Sequence, residues 1–95
     1  MILQAQNVNL EPEKHLVTVD GTEIALTYKE FELLRLLMEN RGVVLTREKI
    51  LSRIWGIDFE GETRTVDMHI KTLRQKLGVG GDIIHTVRGV GYKVE

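Results

Sequence analysis

The sequence contains no cysteine, a single proline, one tryptophan, two tyrosines and two phenylalanines. Without cysteine the chain has neither a disulfide scaffold nor thiolate chemistry, and it suits a reducing compartment. It also has no apolar stretch long enough to span a membrane and no basic-then-apolar leader. We therefore expect a cytoplasmic protein that has no membrane partner.

Catalytic and metal-binding patterns are missing as well. The three histidines, His15, His69 and His85, are far apart, and the sequence has no H-x-x-x-H pair and no paired-carboxylate arrangement. The stretches "GVGG" and "RGVGY" match neither G-x-G-x-x-G nor the P-loop, and they are typical of turns. We predict that the chain is not an enzyme and that it needs no metal and no cofactor.

The charge of the chain is nearly balanced but unevenly distributed. Its 95 residues, the size of one small domain, have a formal net charge of −1. Residues 1–63 contain 7 lysines and arginines against 11 acidic residues, whereas residues 64–95 contain 6 against 3. This asymmetry predicts that one surface meets a polyanion while the rest stays neutral or acidic.

The first 26 residues are typical of β-structure. The segments "HLVTV" and "TEIAL" flank Asp20-Gly21, and Asp-Gly between two β-prone runs is a strong hairpin signal. The earlier segment "ILQAQNVNL" alternates in part, and "EPEK" after it predicts a turn around Pro12. These patterns predict three antiparallel strands within residues 2–26.

Two helices are predicted next. The first has a capping box formed by Thr27 and Glu30, and it extends through "YKEFELLRLLMEN" to Gly42. The second begins at a Thr46 cap and ends at Gly56. Both carry apolar side chains at helical spacing, which predicts that each buries one side.

The last third of the chain predicts a third helix and a terminal β-hairpin. The helix begins at about Arg64 and ends at Gly78, and "VGGD" predicts a turn. "IIHTVRGVGYKVE" predicts strands at residues 83–87 and 92–94, joined by a tip at residues 88–91. Strands, three helices and a hairpin in this order indicate an α+β fold containing a helix-turn-helix, with the hairpin as its wing.

The third helix has two contrasting faces at about 100° per residue. One face is apolar and predicted to be buried, namely Val66, Ile70, Leu73 and Leu77. The opposite side, here named the outward face, consists of Arg64, Met68, Lys71, Thr72 and Gln75. Arginine, lysine and glutamine suit phosphates and the base edges of a DNA major groove, and Met68 offers an apolar end to a thymine methyl. A solvated face with no partner is the alternative.

Other residues of the sequence also favour DNA as the ligand. Cations surround the second helix, where a helix that crosses the DNA backbone needs positive charge: Arg41, Arg47, Lys49 and Arg53. Thr46 and Thr65, near helix starts, are placed to present hydroxyl and N–H groups to phosphate. Arg88 lies at a glycine-containing hairpin tip, from which a cation enters a minor groove. His69 either donates to a phosphate or is an ordinary surface histidine.

These segments resemble a known family. "RTVDMHIKTLRQKLG" followed by "IHTVRGVGYKVE" resembles the C-terminal effector domain of OmpR/PhoB-type response regulators, the winged-helix transcription factors of two-component signalling. "LTYKEFELLRLLMENRGVVLTREKILSRIWG" is similar to the preceding part of that domain, so the likeness covers essentially the whole chain. It implies sequence-specific binding of double-stranded DNA, with the third helix in the major groove and the wing in the minor groove.

The resemblance also implies details of the fold. It predicts a winged helix-turn-helix with an N-terminal antiparallel four-stranded sheet, a three-helix core and a C-terminal β-hairpin wing. A fourth short strand is expected around residues 43–45, after the first helix. Val87 and Tyr92 are expected to lie in the core with the apolar face of the third helix.

The residues and the resemblance together predict twelve DNA contacts: Thr46, Arg47, Trp55, Arg64, Thr65, Met68, Lys71, Thr72, Arg74, Gln75, Thr86 and Arg88. Among these, the resemblance implies that Trp55 packs its ring toward the DNA backbone and that Thr86 and Arg88 act from the wing. It also implies that the loop after the second helix meets RNA polymerase, namely Gly56, Ile57, Asp58, Phe59, Glu60, Gly61 and Glu62.

The chain departs from the family in two respects. Thr72 stands where such regulators often have a basic residue, so the likeness does not define an operator preference. The phosphorylated receiver domain is absent, so the chain is either a fragment of a longer regulator or a stand-alone binding domain. Because the first strand begins almost immediately after Met1, we expect the fragment. In that regulator the receiver is expected to drive pairing on direct-repeat half-sites. A winged helix that docks an acidic protein partner is the alternative.

Overall fold

The computed structural model describes residues 1–95 and contains two antiparallel sheets and three α-helices. The first sheet has the strand order β1 (Leu3–Ala5), β2 (Val8–Glu11), β3 (Leu16–Val19) and β4 (Thr22–Glu23). The helices are α1 (Tyr28–Glu39), α2 (Arg47–Trp55) and α3 (Arg64–Leu77). The second sheet has the order β5 (Leu45–Thr46), β7 (Gly91–Val94) and β6 (Ile84–Val87). The predicted α+β architecture is confirmed.

The hairpin predicted at Asp20-Gly21 is confirmed. Val19 pairs with Thr22 across a two-residue loop whose residues have φ angles of 51° and 81°. Positive φ at both positions matches the right-handed twist of the flanking strands. The turn therefore lays β4 beside β3, as predicted. Residues 2–26 form four strands rather than three because "ILQAQNVNL", predicted as one strand, reverses between Ala5 and Val8 and supplies both β1 and β2. The predicted turn at "EPEK" contains a short 3-10 helix, Pro12–Lys14.

The strand expected around residues 43–45 exists, but it belongs to the other sheet. Leu45 pairs with Tyr92 and Thr46 with Gly91, so β5 extends the C-terminal hairpin. The chain reaches this place because the Gly42 N–H donates to the Val94 carbonyl oxygen at 2.7 Å, directly after α1. The N-terminal sheet reaches four strands without it, because the first predicted strand is divided into β1 and β2.

The capping box of α1 is confirmed, whereas its predicted end is not. The Glu30 N–H donates to Thr27 Oγ1 at 3.2 Å, and the Thr27 N–H donates to Glu30 Oε1 at 2.9 Å. The helix ends before Gly42 because Asn40 closes it. The Asn40 side-chain amide and its backbone N–H both donate to the Leu36 carbonyl oxygen. At α2, the cap at Thr46 and the end at Gly56 are as predicted.

The predicted "VGGD" turn is part of a 3-10 helix, Gly78–Ile83, that packs against the first sheet. A Cβ on Gly80 would lie 2.8 Å from Val8 Cγ2 and 3.0 Å from Val19 Cγ2. A larger residue would not fit between this segment and the sheet. Because the helix includes Ile83, β6 begins one residue later than predicted.

The apolar face of α3 forms part of a single core. Val66, Ile70, Leu73 and Leu77 are 0–2% exposed, which confirms the predicted burial. Tyr92 is buried as expected, whereas Val87 is only half-buried because its strand runs out toward the hairpin tip there. None of the helices has the length and apolar character needed to cross a membrane.

Candidate nucleic-acid interface

The outward face of α3 is exposed along its whole length. The side chain of Met68 is 59% exposed, and Arg64, Lys71 and Gln75 are exposed without a side-chain hydrogen bond or ion pair. Thr72 is also exposed, but its hydroxyl donates to the carbonyl oxygens of its own helix. The face therefore offers unpaired cations, an amide and an apolar end to an external ligand.

Two of the predicted DNA contacts, Thr46 and Arg47, lie at the start of α2, and both side chains have bonding partners within the domain. The Thr46 side chain accepts from the Lys49 N–H at 3.1 Å, so its oxygen caps the helix while its hydroxyl hydrogen stays available. The Arg47 guanidinium pairs with both carboxylate oxygens of Asp67, with Nε–Oδ1 at 3.0 Å. Thus Arg47 lies beside α3 but already has an anionic partner.

Asp67 also accepts a hydrogen bond from the Tyr92 hydroxyl, which lies 2.6 Å from Oδ1. Burial alone would raise the pKa of Asp67, but the hydrogen bonds from Arg47 and Tyr92 outweigh it, and the pKa is lowered. For Tyr92, burial and the bond to the carboxylate together raise the pKa to about 12. This network joins α2, α3 and β7, and the sequence did not reveal it.

Two further predicted contacts are bonded to each other. Arg74 donates from one terminal nitrogen to Thr86 Oγ1 at 2.8 Å and to the Ile84 carbonyl oxygen at 2.7 Å. Its guanidinium carbon also lies 5.8 Å from the centre of the Tyr92 ring. Arg74 and Thr86 therefore connect the last turn of α3 to the wing, and only the remaining N–H groups of Arg74 are free.

The wing tip projects from the domain. Arg88 is exposed and has no side-chain hydrogen bond or ion pair, and Val90 next to it is 44% exposed. Gly89 has a φ of 76°, a conformation that glycine adopts at little cost. A cleft between the wing and the helices is lined by Arg88 together with Arg47 and Asp67. The tip thus presents one free cation beside the start of α3.

Trp55 packs within the domain rather than standing free. Its ring lies edge-on to His69, with centroids 4.7 Å apart, and tilted to Phe59 at 6.2 Å. The Lys29 ammonium lies 5.7 Å from the centre of the Trp55 ring. The Nδ1 atom of His69 is 2.9 Å from the Thr65 carbonyl oxygen. Trp55, half-buried, thereby connects α2 to α3 and to the loop between them.

The loop from Gly56 to Glu62 is exposed throughout. Ile57 is 87% exposed and Phe59 is 39% exposed, beside three acidic side chains, Asp58, Glu60 and Glu62. A Cβ on Gly61 would lie 2.2 Å from Phe59 Cε2, so the phenylalanine ring covers that glycine. The loop therefore presents an acidic and partly apolar surface, separate in charge from the outward face.

Two of the four cations predicted around the second helix, Arg41 and Arg53, lie against other parts of the domain. Arg41 donates to the carbonyl oxygens of Gln4 and Glu95, at 2.7 Å and 2.6 Å, and so ties the two sheets together. Arg53 lines a groove with Glu32 and Glu39 of α1. Nowhere do three or more potential metal ligands among histidine, aspartate and glutamate cluster.

A second ion pair, between the exposed Lys76 and the buried Glu30, joins the C-terminal end of α3 to α1. The Glu30 side chain is 5% exposed, and its Oε1 accepts from Lys76 Nζ at 2.8 Å. Burial would raise the pKa of Glu30, but the hydrogen bonds from Lys76 and from the Thr27 backbone outweigh it and lower the pKa. This contact joins the start of α1 to the last turn of α3.

We expect Glu30 to make the stability of the domain sensitive to acid. Because its folded-state pKa lies below the unfolded value of 4.5, its contribution is complete above pH 4.5 and is lost as the pH falls through the folded-state pKa. Urea unfolding from pH 6 to pH 3 should therefore show a shallower acid-side loss for Glu30→Gln than for the parent. Lys76→Met leaves the carboxyl group buried without its cation. It should likewise reduce the decrease in the free energy of unfolding between pH 6 and pH 3. An unchanged profile in both variants would contradict this assignment.

The chain matches a known family and relatives of known type. Residues 21–94 match the family model "Transcriptional regulatory protein, C terminal". The regulatory protein VanRB of Enterococcus faecalis is 57% identical over 88 residues, covering 93% of this chain and 39% of VanRB. The sensory transduction protein RegX3 of Mycolicibacterium smegmatis is 46% identical over 97 residues, covering 99% of this chain and 42% of RegX3. The chain spans about two-fifths of the length of these relatives.

Solved structures of the same type superpose closely. The response regulator DrrB of Thermotoga maritima, an OmpR/PhoB homologue, has a TM-score of 0.88 and 33% identity, covering 98% of this chain and 43% of DrrB. The DNA-binding domain of Klebsiella pneumoniae RstA, solved in complex with the RstA box, has a TM-score of 0.85 and 28% identity, covering 98% of this chain and 95% of that domain. The chain therefore belongs to the family of C-terminal domains of transcriptional regulatory proteins, in the OmpR/PhoB group of response regulators.

Proposed function

We propose that the chain binds double-stranded DNA sequence-specifically, with α3 in the major groove and the wing in an adjacent minor groove. The observation that carries this proposal is the exposure of the outward face, whose cations have no partner while the opposite side of the helix is entirely buried. The RstA domain, which has the same fold and was solved with DNA, supports it.

Each part of the interface has a distinct role in this proposal. Arg64 and Lys71 bind phosphates or the acceptor edge of guanine, and Gln75 bonds the edge of adenine. Met68 contacts a thymine methyl, and Arg88 enters the minor groove from the wing tip. The other predicted contacts act at the edges of this surface: Thr46, Arg47, Trp55, Thr65, Thr72, Arg74 and Thr86.

Titrating a labelled duplex at rising salt tests the proposal. Because bound cations release counterions from DNA, log K should fall linearly with log salt, by about 0.9 per phosphate neutralised. A selection of random duplexes against the purified domain would provide the preferred site. If the domain bound no duplex at low salt and bound an acidic protein instead, the docking alternative would replace DNA binding.

Arg88→Ala is expected to weaken binding most on sites with A·T-rich flanks, by about 1–3 kcal/mol, because narrow minor grooves attract arginine. The measurement compares affinities for duplexes with A·T-rich and G·C-rich flanks. Lys14→Ala is the matched control, since it removes one exposed cation from the 3-10 helix between β2 and β3, where DNA is not proposed to bind. Equal losses on both flanks, or none, would remove the wing from the interface.

We further propose that the chain acts within a longer cytoplasmic response regulator of a two-component system. A receiver domain would control its pairing on direct-repeat half-sites, and two weak domains would then bind with combined affinity. The loop from Gly56 to Glu62 would meet RNA polymerase through its exposed apolar and acidic side chains. Ile57→Ser, a change at a side chain that is 87% exposed, should reduce transcription activation without reducing DNA affinity.

A further inference from the structure

Asp67 is the one acidic residue of α3, and it lies beside a surface that is otherwise cationic. Its carboxylate is occupied on both oxygens: Oδ1 accepts from Arg47 Nε and from the Tyr92 hydroxyl, and Oδ2 accepts from a second Arg47 nitrogen. Its side chain remains 37% exposed. A carboxylate at this place repels an approaching phosphate, so its presence requires a compensating role.

The attachment of the wing suggests that role. The backbone of the wing is joined to the rest of the domain by the short strand β5, which pairs with β7 at Tyr92 and at Gly91 only. Two more backbone bonds hold the hairpin: the Gly42 N–H donates to the Val94 carbonyl oxygen at 2.7 Å, at the end far from the tip, and the Arg47 N–H donates to the Val90 carbonyl oxygen at a long 3.4 Å, near the tip. The polar side-chain links from α3 to the wing come from Asp67 and Arg74.

Arg74 and Asp67 attach α3 to different strands of the wing. Arg74 reaches β6, the outer strand of the hairpin, at Ile84 and Thr86. Asp67 instead reaches the central strand, and through Arg47 it also holds the residue at which β5 passes into α2. One carboxylate on α3 thus defines the positions of the wing and of α2 together.

We propose that Asp67 is a positioning residue that sets the distance between the outward face of α3 and the wing tip, so that Arg88 and the helix engage one DNA site together. This inference rests on the proposed DNA binding. It makes an unusual prediction, because removing a negative charge from the interface is expected to weaken binding rather than strengthen it.

The test is a double-mutant cycle on duplex affinity at fixed salt. In the parent, Arg88→Ala should lower affinity for an A·T-flanked duplex about tenfold, whereas in Tyr92→Phe it should lower it less than about threefold. Tyr92→Phe keeps the net charge and the ring but removes the hydroxyl that bonds Asp67. Asp67→Asn should itself bind more weakly than the parent, and Asp67→Glu should recover part of the loss.

Glu48→Gln is the matched control, because Glu48 is an exposed acid in the first turn of α2 that has no bonded partner. It should bind DNA as tightly as the parent or more tightly. If Asp67→Asn behaved like Glu48→Gln, or if the losses from Tyr92→Phe and Arg88→Ala were additive, the positioning role would be overturned. Failure of the parent to bind any duplex would overturn the proposed function as well, so the two failures are distinguishable.

Melting temperatures separate this role from a general loss of stability. All affinities are to be measured at a temperature where each variant is fully folded by circular dichroism. A residue that only stabilises the fold would lower the melting temperature but leave the effect of Arg88→Ala at about tenfold. That outcome too would overturn the proposal.

Discussion

Replacing Leu73 with alanine is expected to lower the free energy of unfolding by about 2–5 kcal/mol. Leu73 is 0% exposed and lies at the middle of the apolar face of α3. Truncation removes buried methyl groups and leaves a cavity between the helix and the rest of the core, and the two effects add. Urea unfolding followed by circular dichroism measures the loss.

Met68→Ala is the matched control on the opposite side of the same helix. Because Met68 is 59% exposed, its truncation should change the free energy of unfolding by no more than about 0.5 kcal/mol. It should instead reduce discrimination for one thymine while the salt dependence of binding stays nearly unchanged. If Leu73→Ala left unfolding unchanged and abolished DNA binding, the faces of α3 would be reversed.

Gly91→Ala is expected to disrupt the junction of the wing, with a loss of about 3 kcal/mol in the free energy of unfolding. A Cβ at this position would lie 1.9 Å from the carbonyl oxygen of Leu45 and 2.9 Å from Thr46 Cα. These are backbone atoms of β5, so no side-chain rotation can relieve the overlap. The strands β5 and β7 would have to separate, and DNA affinity should fall with stability.

Gly89→Ala separates this steric effect from the loss of a glycine in general. Gly89 lies at the wing tip with a φ of 76°, and an added Cβ there meets no atom within 4 Å. Its cost is therefore that of a left-handed conformation, about 1–2 kcal/mol. If the two alanine variants were equally stable, the close approach of β7 to β5 would not be the reason for glycine at position 91.

The two glycine variants also bear on the interface. Gly91 pairs with Thr46, and Thr46 is followed at once by Arg47, which holds Asp67. Separation of β5 from β7 would move that arginine as well as the wing. Gly91→Ala should therefore reduce DNA affinity because it moves both Arg47 and the wing. Gly89→Ala should alter only the wing tip.

Features that depend on neighbours in the sequence were predicted well. The capping box of Thr27 and Glu30 joins residues three apart, and the hairpin at Asp20-Gly21 joins strands through two residues. The two faces of α3 follow from the helical period alone. Such features need only local geometry, because helices and tight turns place nearby residues at fixed distances.

Features that join distant residues were missed or misplaced. Asp67 is 20 residues from Arg47 and 25 from Tyr92, and neither spacing carries a periodic signal. The partner of β5 was also misplaced, since a two-residue strand has too little pattern to specify a sheet. The contacts of Arg41 and Arg53 were likewise not predicted: Arg41 bonds the backbone of Gln4 and Glu95, and Arg53 lines a groove with α1, because proximity in the sequence does not decide which surface a side chain joins.

The amino-acid order alone determined which side of α3 is buried, where the three helices begin, where the hairpin at Asp20-Gly21 turns, and which residues of α3 face outward, since these depend on the chemistry of residues a few positions apart. Only the tertiary structure decided that the wing shares a sheet with β5 and that Asp67 joins it to two helices. These contacts arise when separate elements pack around a common core, and that packing depends on the whole chain at once.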